Sequence, residues 1–458
     1  MYKFVLKVTN RKSIATISAL LYISAPYKMS NIFDRNAVGE YTAFVFIPMV
    51  FEGIYNILYS NKKSFLLCIG IIGLVLSHTI STIYTAIFAI IFLLINIDKL
   101  GKWNVWKRFI TNAIVALLVC MVYIVPLLEH RFATEYVIYD KTAMKTNTYN
   151  VYEASASFKD IFASEFGEQG IRFSLGVMTC ILTLLGIICY KKINKNHKRI
   201  YLQFFLLACI SLIMSTKLFP WFIMPQFLGV IQFAWRNIGF FAFFISLVCG
   251  INAVTFAENV LKGEVLKDTC IFAVIISIFV FASLGVMRNW KFENIENEKI
   301  FDETVKNTDK KYLYSINRDY MPLNGLKNQE YILEREDRTY ILKGKANIVS
   351  ENKVKLKDYI YVENVSDDTI LELPYLYYLG YDVTVSYNGK DYIKINTFES
   401  SNGFVAIKIN DCDNAKIKVE YKETIAEKVG YITSGLGTII LISVVYKNRR
   451  KNKLNDKK

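Results

Sequence analysis

No CxxC pair and no Cys/His cluster with metal-ligand spacing occurs anywhere in these 458 residues, so a zinc site is not expected. Disulfide material is equally scarce. Cys68, Cys120, Cys180, Cys189, Cys209, Cys249 and Cys270 lie in or beside apolar runs, where a thiol serves as a small hydrophobe. Cys412 alone falls in the polar C-terminal region, which therefore holds no internal disulfide. An internal repeat of the kind that builds many transporters is also missing, which weighs against transport.

What the chain has in abundance is apolar sequence: 53% of it is hydrophobic and 15% aromatic, with a mean hydropathy of +0.28. That balance places it in the membrane class. Runs of the length needed to span a bilayer extend over Phe44–Ser60, Phe65–Asn96, Phe109–Leu128, Leu175–Tyr190, Tyr201–Met214, Ile238–Phe256, Cys270–Met287 and Val429–Tyr446. The second is too long for one helix, and its polar break at Ser77-His78-Thr79 predicts two helices meeting at a turn. A shorter run, Ser13–Ser24, follows a basic stretch and brings the total to about ten. Read alone, that run also fits a secretory signal; the downstream topology works best with it kept as a span.

Placing the tail after Tyr446 inside fixes every other loop by alternation. The inner segments then carry 24 Lys/Arg against five acids, whereas 289–425 carries 20 against 24. This is the asymmetry of a multi-pass cell-membrane protein with a cytoplasmic C-terminal tail. It also accounts for the formal charge of +15 without nucleic acid, since short basic inner loops attract anionic membrane lipids.

The sequence therefore predicts a mainly α polytopic membrane protein in three parts: 1–288, a polytopic domain; 289–427, an outer β-rich domain; and 428–458, a final span with a basic tail. Outer segments fall at Ala25–Glu40, Glu129–Arg172 and 289–425. Lys217–Asn237, which mixes Pro220, Trp221, Pro225 and Trp235 with apolar residues, suits an interfacial or re-entrant element. Alternation in Lys353-Val354-Lys355-Leu356 and in Lys416-Ile417-Lys418-Val419-Glu420 predicts strands. Tyr381–Tyr387, Asn388-Gly389 and Asp391–Ile395 read as a hairpin with a type I′ turn, and the whole as a small β-sandwich.

Ionisable groups at membrane depth or at its boundary are the candidates for chemistry. Asp34 and Glu40 offer a general base and a second carboxylate able to orient a sugar hydroxyl or a divalent cation; Arg35 and Arg236 offer an anionic phosphate two guanidinium groups. Against this stands the plain alternative that such residues pair with one another at the water boundary. Further polar candidates are His78, for which a backbone hydrogen bond at a helix break is the simpler expectation, Gln232, Glu129 beside His130 and Arg131, and Glu52 within a span. Tyr375, Tyr377, Tyr378 and Tyr381 either stack on sugar rings or pack a sheet.

Taken together, Asp34-Arg35-Asn36-Ala37-Val38-Gly39-Glu40, Leu76-Ser77-His78-Thr79, Gln232-Phe233-Ala234-Trp235-Arg236, Asp319-Tyr320-Met321-Pro322 and Leu373-Pro374-Tyr375 resemble the bacterial 6-pyruvoyl-tetrahydropterin synthase-related membrane proteins of the YfhO type. That group is in turn similar to the GT-C glycosyltransferases. The resemblance implies transfer of a sugar from a polyprenyl-phosphate lipid to a cell-envelope glycan or glycolipid, with an acid in the first outer loop as base. It also implies N-terminal helices ahead of the point where this chain begins. Pterin chemistry is not implied, because a pterin synthase holds zinc through histidines and this chain has only His78, His130 and His197. A membrane scaffold whose outer β domain binds a glycan or a partner protein is the alternative expectation.

Overall fold

The computed structural model describes residues 1–60, 64–139, 147–163, 173–306, 320–387 and 389–455. The chain divides into two compact units, one made of Met1–Cys120, Thr146–Glu303 and Leu436–Lys458, the other of Met121–Lys145 and Thr304–Gly435.

The first unit is helical. In chain order the helices are α1 (Tyr2–Thr9), α2 (Lys12–Ile23), α3 (Pro26–Phe33), α4 (Val38–Tyr59), α5 (Leu66–Ser77), α6 (Thr79–Ile95), α7 (Trp103–Ala133), α8 (Thr148–Glu153), α9 (Phe158–Ile161), α10 (Val177–Cys189), α11 (Lys195–Ser215), α12 (Asn237–Val260) and α13 (Glu264–Lys306). Every apolar run of the sequence forms a helix, and the run Phe65–Asn96 divides at His78 into two, as its polar break predicts. Among the described residues six helices are long and apolar enough to cross a membrane: α4, α7, α11, α12 with the turn before it, α13 over Glu264–Met287, and α16 (Ile425–Asn455) over Ile425–Asn448. Helices α2, α5, α6 and α10 have 12, 12, 17 and 13 residues, short of the roughly 20 that a straight crossing takes. The break at His78 is the physical reason for two of these. Its extended backbone, φ −158° and ψ 109°, stops α5 and starts α6. Lys217–Asn237 contains three short 3-10 turns, Trp221–Ile223, Gln226–Ile231 and Ala234–Arg236, and no full-length helix.

Helix α12 forms the centre. It is apolar on all sides, a pattern that requires enclosure, and 94% of its apolar window is buried. Phe243, Phe240 and Phe244 pack on Phe51 of α4, Phe88 of α6 and Phe204 of α11, with ring centroids 5.2, 5.1 and 5.5 Å apart. Gly250 brings α12 against α2 so closely that a Cβ there would sit 2.9 Å from the Ile14 carbonyl oxygen. A small residue at the crossing lets the two backbones approach this closely.

Among the described residues the second unit carries α14 (Leu323–Lys327), α15 (Gln329–Glu334) and nine strands: β1 (Tyr340–Lys343), β2 (Asn347–Val354), β3 (Lys357–Val365), β4 (Thr369–Leu376), β5 (Tyr381–Ser386), β6 (Ile393–Ile395), β7 (Thr397–Glu399), β8 (Phe404–Ile409) and β9 (Cys412–Tyr421). They form two antiparallel sheets, ordered β1-β4-β8-β7 and β2-β3-β9-β5-β6. Alternate residues of both supply one core, including Val362, Leu371, Val383, Val405, Ile407, Ile417 and Val419. Within 289–427 the strands occupy the later part: α13 continues as helix to Lys306 and the first strand begins at Tyr340. The alternation through Lys353–Leu356 is not all strand: Val354 pairs with Lys357, leaving Lys355 (φ 59°) and Leu356 as the turn. The β5–β6 hairpin forms, but Val385 faces Ile393, whereas a two-residue turn at 388–389 would set it opposite Tyr392. Asn388 itself lies outside the described residues.

Replacing Gly250 by Val should destabilise the helical unit by about 1–3 kcal/mol through overpacking, read as a lowered thermal midpoint of the purified protein in detergent. An unchanged midpoint would mean that α2 and α12 do not meet at this contact.

Candidate functional site

The first turn of α4 places Glu40 in the interior, 3% exposed, and three side chains converge on it. Pro26 at the N-terminus of α3 presets the helical φ, Tyr27 and Asn31 follow four residues apart on one face, and Arg35 comes just past the end of the helix, four residues after Asn31. The Tyr27 hydroxyl donates to Glu40 Oε1 at 2.5 Å, and Arg35 Nη1 donates to Oε2 at 3.1 Å. Arg35 Nη1 also donates to Asn31 Oδ1. From the turn preceding α12, Arg236 brings Nε within 3.7 Å of the same carboxylate oxygen while its Nη1 donates to the Ile231 carbonyl and to Gln232 Oε1, both at 3.2 Å. Trp235 closes one side, its ring 4.5 Å from the Arg35 guanidinium carbon.

Two guanidinium groups thus share one carboxylate, and the cluster keeps a net positive charge. Arg236 Nε and Asn31 Nδ2 are buried without a hydrogen-bond partner. Buried donors of this kind are normally satisfied, so the cluster is chemically suited to an anion with several acceptor oxygens. Both oxygens of Glu40 are engaged, which makes it a group that positions arginines. Asp34 ends α3, half-buried, one residue before Arg35.

The other candidates separate. His78 caps α6: its Nδ1 accepts from the Ser81 backbone N–H at 3.2 Å and lies 2.8 Å from the Ser81 hydroxyl, the helix-break role with an amide in place of the expected carbonyl. It nevertheless borders the cluster, since a Cβ on Gly39 would lie 3.6 Å from its ring. Gln232 belongs to the cluster through Arg236. Glu52 sits half-buried among the charges of Lys7 and Lys3 on α1. Glu129 lies in the other unit, accepting from the Thr424 hydroxyl at 2.6 Å, and His130 Nδ1 lies 3.0 Å from the Tyr136 hydroxyl. His197 meets the Thr9 carbonyl at 2.9 Å.

Sequence reasoning missed Tyr27, Asn31 and Lys28. The four-residue spacing of Tyr27, Asn31 and Arg35 was a readable signal. Lys28 carried none. It is buried with its nitrogen 3.4 Å from the Tyr22 ring centre and 5.1 Å from that of Phe44, and burial pushes its ammonium down to about 7.

In the β unit the tyrosines singled out earlier pack on one another: Tyr375 on Tyr381, Tyr381 on Tyr421 and Tyr378 on Tyr136, at 5.2, 5.7 and 6.0 Å. Two buried carboxylates were not foreseen. Glu372, fully buried, accepts from Tyr331, Arg335, Ser400 and Asn402 at 2.7, 3.2, 2.6 and 3.1 Å, which pins α15 and its following turn to the sandwich. Asp358, also fully buried, accepts from the Tyr375 hydroxyl at 3.3 Å. Burial, reinforced by the Glu351 carboxylate, pushes its carboxyl up to about 6.

Two outcomes follow. Glu40→Gln should destabilise the helical unit by about 3–5 kcal/mol, the cost of leaving buried cations uncompensated, and Glu40→Gln combined with Arg236→Gln should recover part of it; equal thermal midpoints for wild type and Glu40→Gln would contradict this. Because the folded pKa of Asp358 exceeds its unfolded value, the fold binds more protons between about pH 4 and 6 and loses stability as pH rises through that window. Hydrogen exchange in β2 and β3, corrected for intrinsic rates, should therefore quicken as pH rises from 4.5 to 6.5, and Asp358→Asn should flatten the trend.

An uncharacterized protein of Lactococcus lactis subsp. cremoris (strain MG1363) is 22% identical to this chain across 98% of its length and 78% of the relative's. No family model matches the chain. No solved structure matches it.

Proposed function

We propose that this is a GT-C-like membrane glycosyltransferase, or a truncated relative of one, that takes a sugar from a polyprenyl-phosphate carrier and transfers it to a cell-envelope glycan or glycolipid. The apolar helices span the cell membrane in this reading, the β unit lies outside and the basic tail inside. The observation that carries it is the buried, net-cationic cluster of Arg35, Arg236 and Glu40, with an unsatisfied donor on Arg236. A second feature agrees with a lipid-linked donor. Met29 and Phe33, on α3 away from Tyr27 and Asn31, help line an apolar groove of about 520 Å³ with Ile23, Ile278 and Val286, so one short helix turns Tyr27 and Asn31 to the charged cluster and Met29 and Phe33 to a lipid-like groove.

In the reaction a carboxylate takes the acceptor hydroxyl proton while that oxygen bonds to the anomeric carbon. The bond from that carbon to the phosphate oxygen breaks, and its electron pair stays on the phosphate, where guanidinium groups stabilise the charge. Arg35 and Arg236 take the phosphate. Since Glu40 is committed to orienting them, Asp34 is the better placed of the two acids for the base. The resemblance to the YfhO-type proteins agrees with a carboxylate base on the outer face, and the choice of Asp34 rests on its place beside Arg35.

Membranes containing the protein should transfer labelled sugar from a polyprenyl-phosphate donor. Asp34→Asn should reduce the rate at least a hundredfold and Arg236→Gln comparably, with thermal midpoints near wild type for Asp34→Asn. Transfer that survives Asp34→Asn unchanged removes Asp34 from the mechanism. Absence of transfer with every donor, joined to glycan binding at the outer face, favours the scaffold reading.

A further inference from the structure

At the opposite end of the helical unit from Glu40 on α4, the N-terminal turns of α7 carry a polar stripe that their apolar surroundings do not explain. Asn104, Lys107, Arg108, Thr111 and Asn112 recur at helical spacing on a helix whose apolar window has a mean hydropathy of 2.4. With Ser64, and with Val444 and Asn448 of α16, they line a cavity of about 390 Å³ that, among the described residues, no acidic side chain borders. That volume lies in the range of small-molecule sites, roughly 300–1,000 Å³.

The cavity is built rather than incidental. Asn112, 3% exposed, accepts from the Cys68 backbone N–H at 3.0 Å and donates to the Ser64 and Arg108 carbonyls at 3.3 and 2.9 Å, which locks the start of α5 onto α7. Arg108 Nη1 donates to the Ser60 carbonyl at 3.1 Å. On the far wall α16 is held close to α7, since a Cβ on Gly437 would lie 2.8 Å from the Val119 nitrogen, and Leu441 packs on Cys68, Val115 and Ala116. Asn448 Nδ2 is buried without a partner.

The depth of the site identifies its occupant. Trp103 and Trp106, 70% and 43% exposed, stand on the first turns of α7, and indole rings in that setting mark the headgroup level of a bilayer. Helix α16 changes from apolar to basic at the same cavity, with Val444 and Asn448 lining it and Lys447 between them. A cationic pocket between apolar helices at headgroup depth, on the Lys/Arg-rich side, matches one ligand chemistry: a phosphodiester with its acyl chains beside the helices.

We infer that this cavity binds the phosphate of an anionic phospholipid headgroup, with Lys107, Arg108 and Asn448 as the contacting groups. The inference rests on the helices crossing a bilayer and is independent of the transfer reaction. Its test is native mass spectrometry of the full-length protein, delipidated and then exposed to mixed phosphatidylglycerol and phosphatidylcholine micelles. Phosphatidylglycerol should be retained at least fivefold over phosphatidylcholine; Lys107→Gln and Asn448→Leu should each abolish that preference, and Lys102→Gln, outside the cavity, should leave it. Millimolar inorganic phosphate should not displace the lipid. Equal retention of both lipids, or an equal loss with Lys102→Gln, would overturn the inference, and displacement by inorganic phosphate would replace the lipid with a soluble anion. Recovery of the protein in the soluble fraction without detergent would instead defeat the membrane reading itself.

Discussion

Helix α12 has no polar face to turn toward water, and the helical unit is arranged to enclose it. Phenylalanines from α1, α4, α6 and α11 fill the space around Phe240, Phe243 and Phe244, and Gly250 lets α2 close the remaining side. The same enclosure decides where charge can go. Arg236 immediately precedes this helix, only 9% exposed, and a buried guanidinium needs a counter-charge. Glu40 supplies it, and in doing so it fixes α3 and α4 to the N-terminal end of the central helix.

A carboxylate that holds two arginines leaves the group net positive, which is why the cluster suits an incoming anion better than it suits proton abstraction by Glu40 itself. The apolar groove on the other side of α3 extends the argument to an amphiphile. Polar head and apolar tail would then lie on opposite sides of one eight-residue helix, the head at Arg35 and Arg236 beside Tyr27 and Asn31, the tail along Met29 and Phe33. The β unit follows a separate logic. Its core comes from alternate residues such as Val383 and Val385 of β5, Val405 and Ile407 of β8, and Ile417 and Val419 of β9, and its fully buried acids are compensated locally, Glu372 by Arg335 and hydroxyl donors, Asp358 by a raised affinity for its proton.

Much of this was legible in the residues. Apolar runs marked every long helix, because enclosure and apolar period leave the same trace in sequence, and Lys416–Glu420 alternated as β9 does. Other features depend on tertiary contacts that a lone sequence does not encode. Lys353–Leu356 alternated through a turn, because a two-residue hairpin connection leaves the polar-apolar pattern intact. Asp34, Arg35 and Glu40 stood out as charges near a span, but only folding distinguishes Glu40, buried among Tyr27, Arg35 and Arg236, from half-buried Asp34 six residues before it. Lys28 gave no sign at all: a lysine in a short outer helix reads as solvated until Tyr22 and Phe44 are brought around it.

The central claim is that the cluster at Glu40 receives the phosphate of a polyprenyl carrier. Native mass spectrometry of the protein purified from its own membranes in mild detergent tests it most directly. The account predicts a polyprenyl phosphate, or its sugar conjugate, released on collisional activation from wild type and lost with Arg236→Gln. Retention of that lipid by Arg236→Gln at the wild-type level, or its consistent absence from wild type, would contradict the claim.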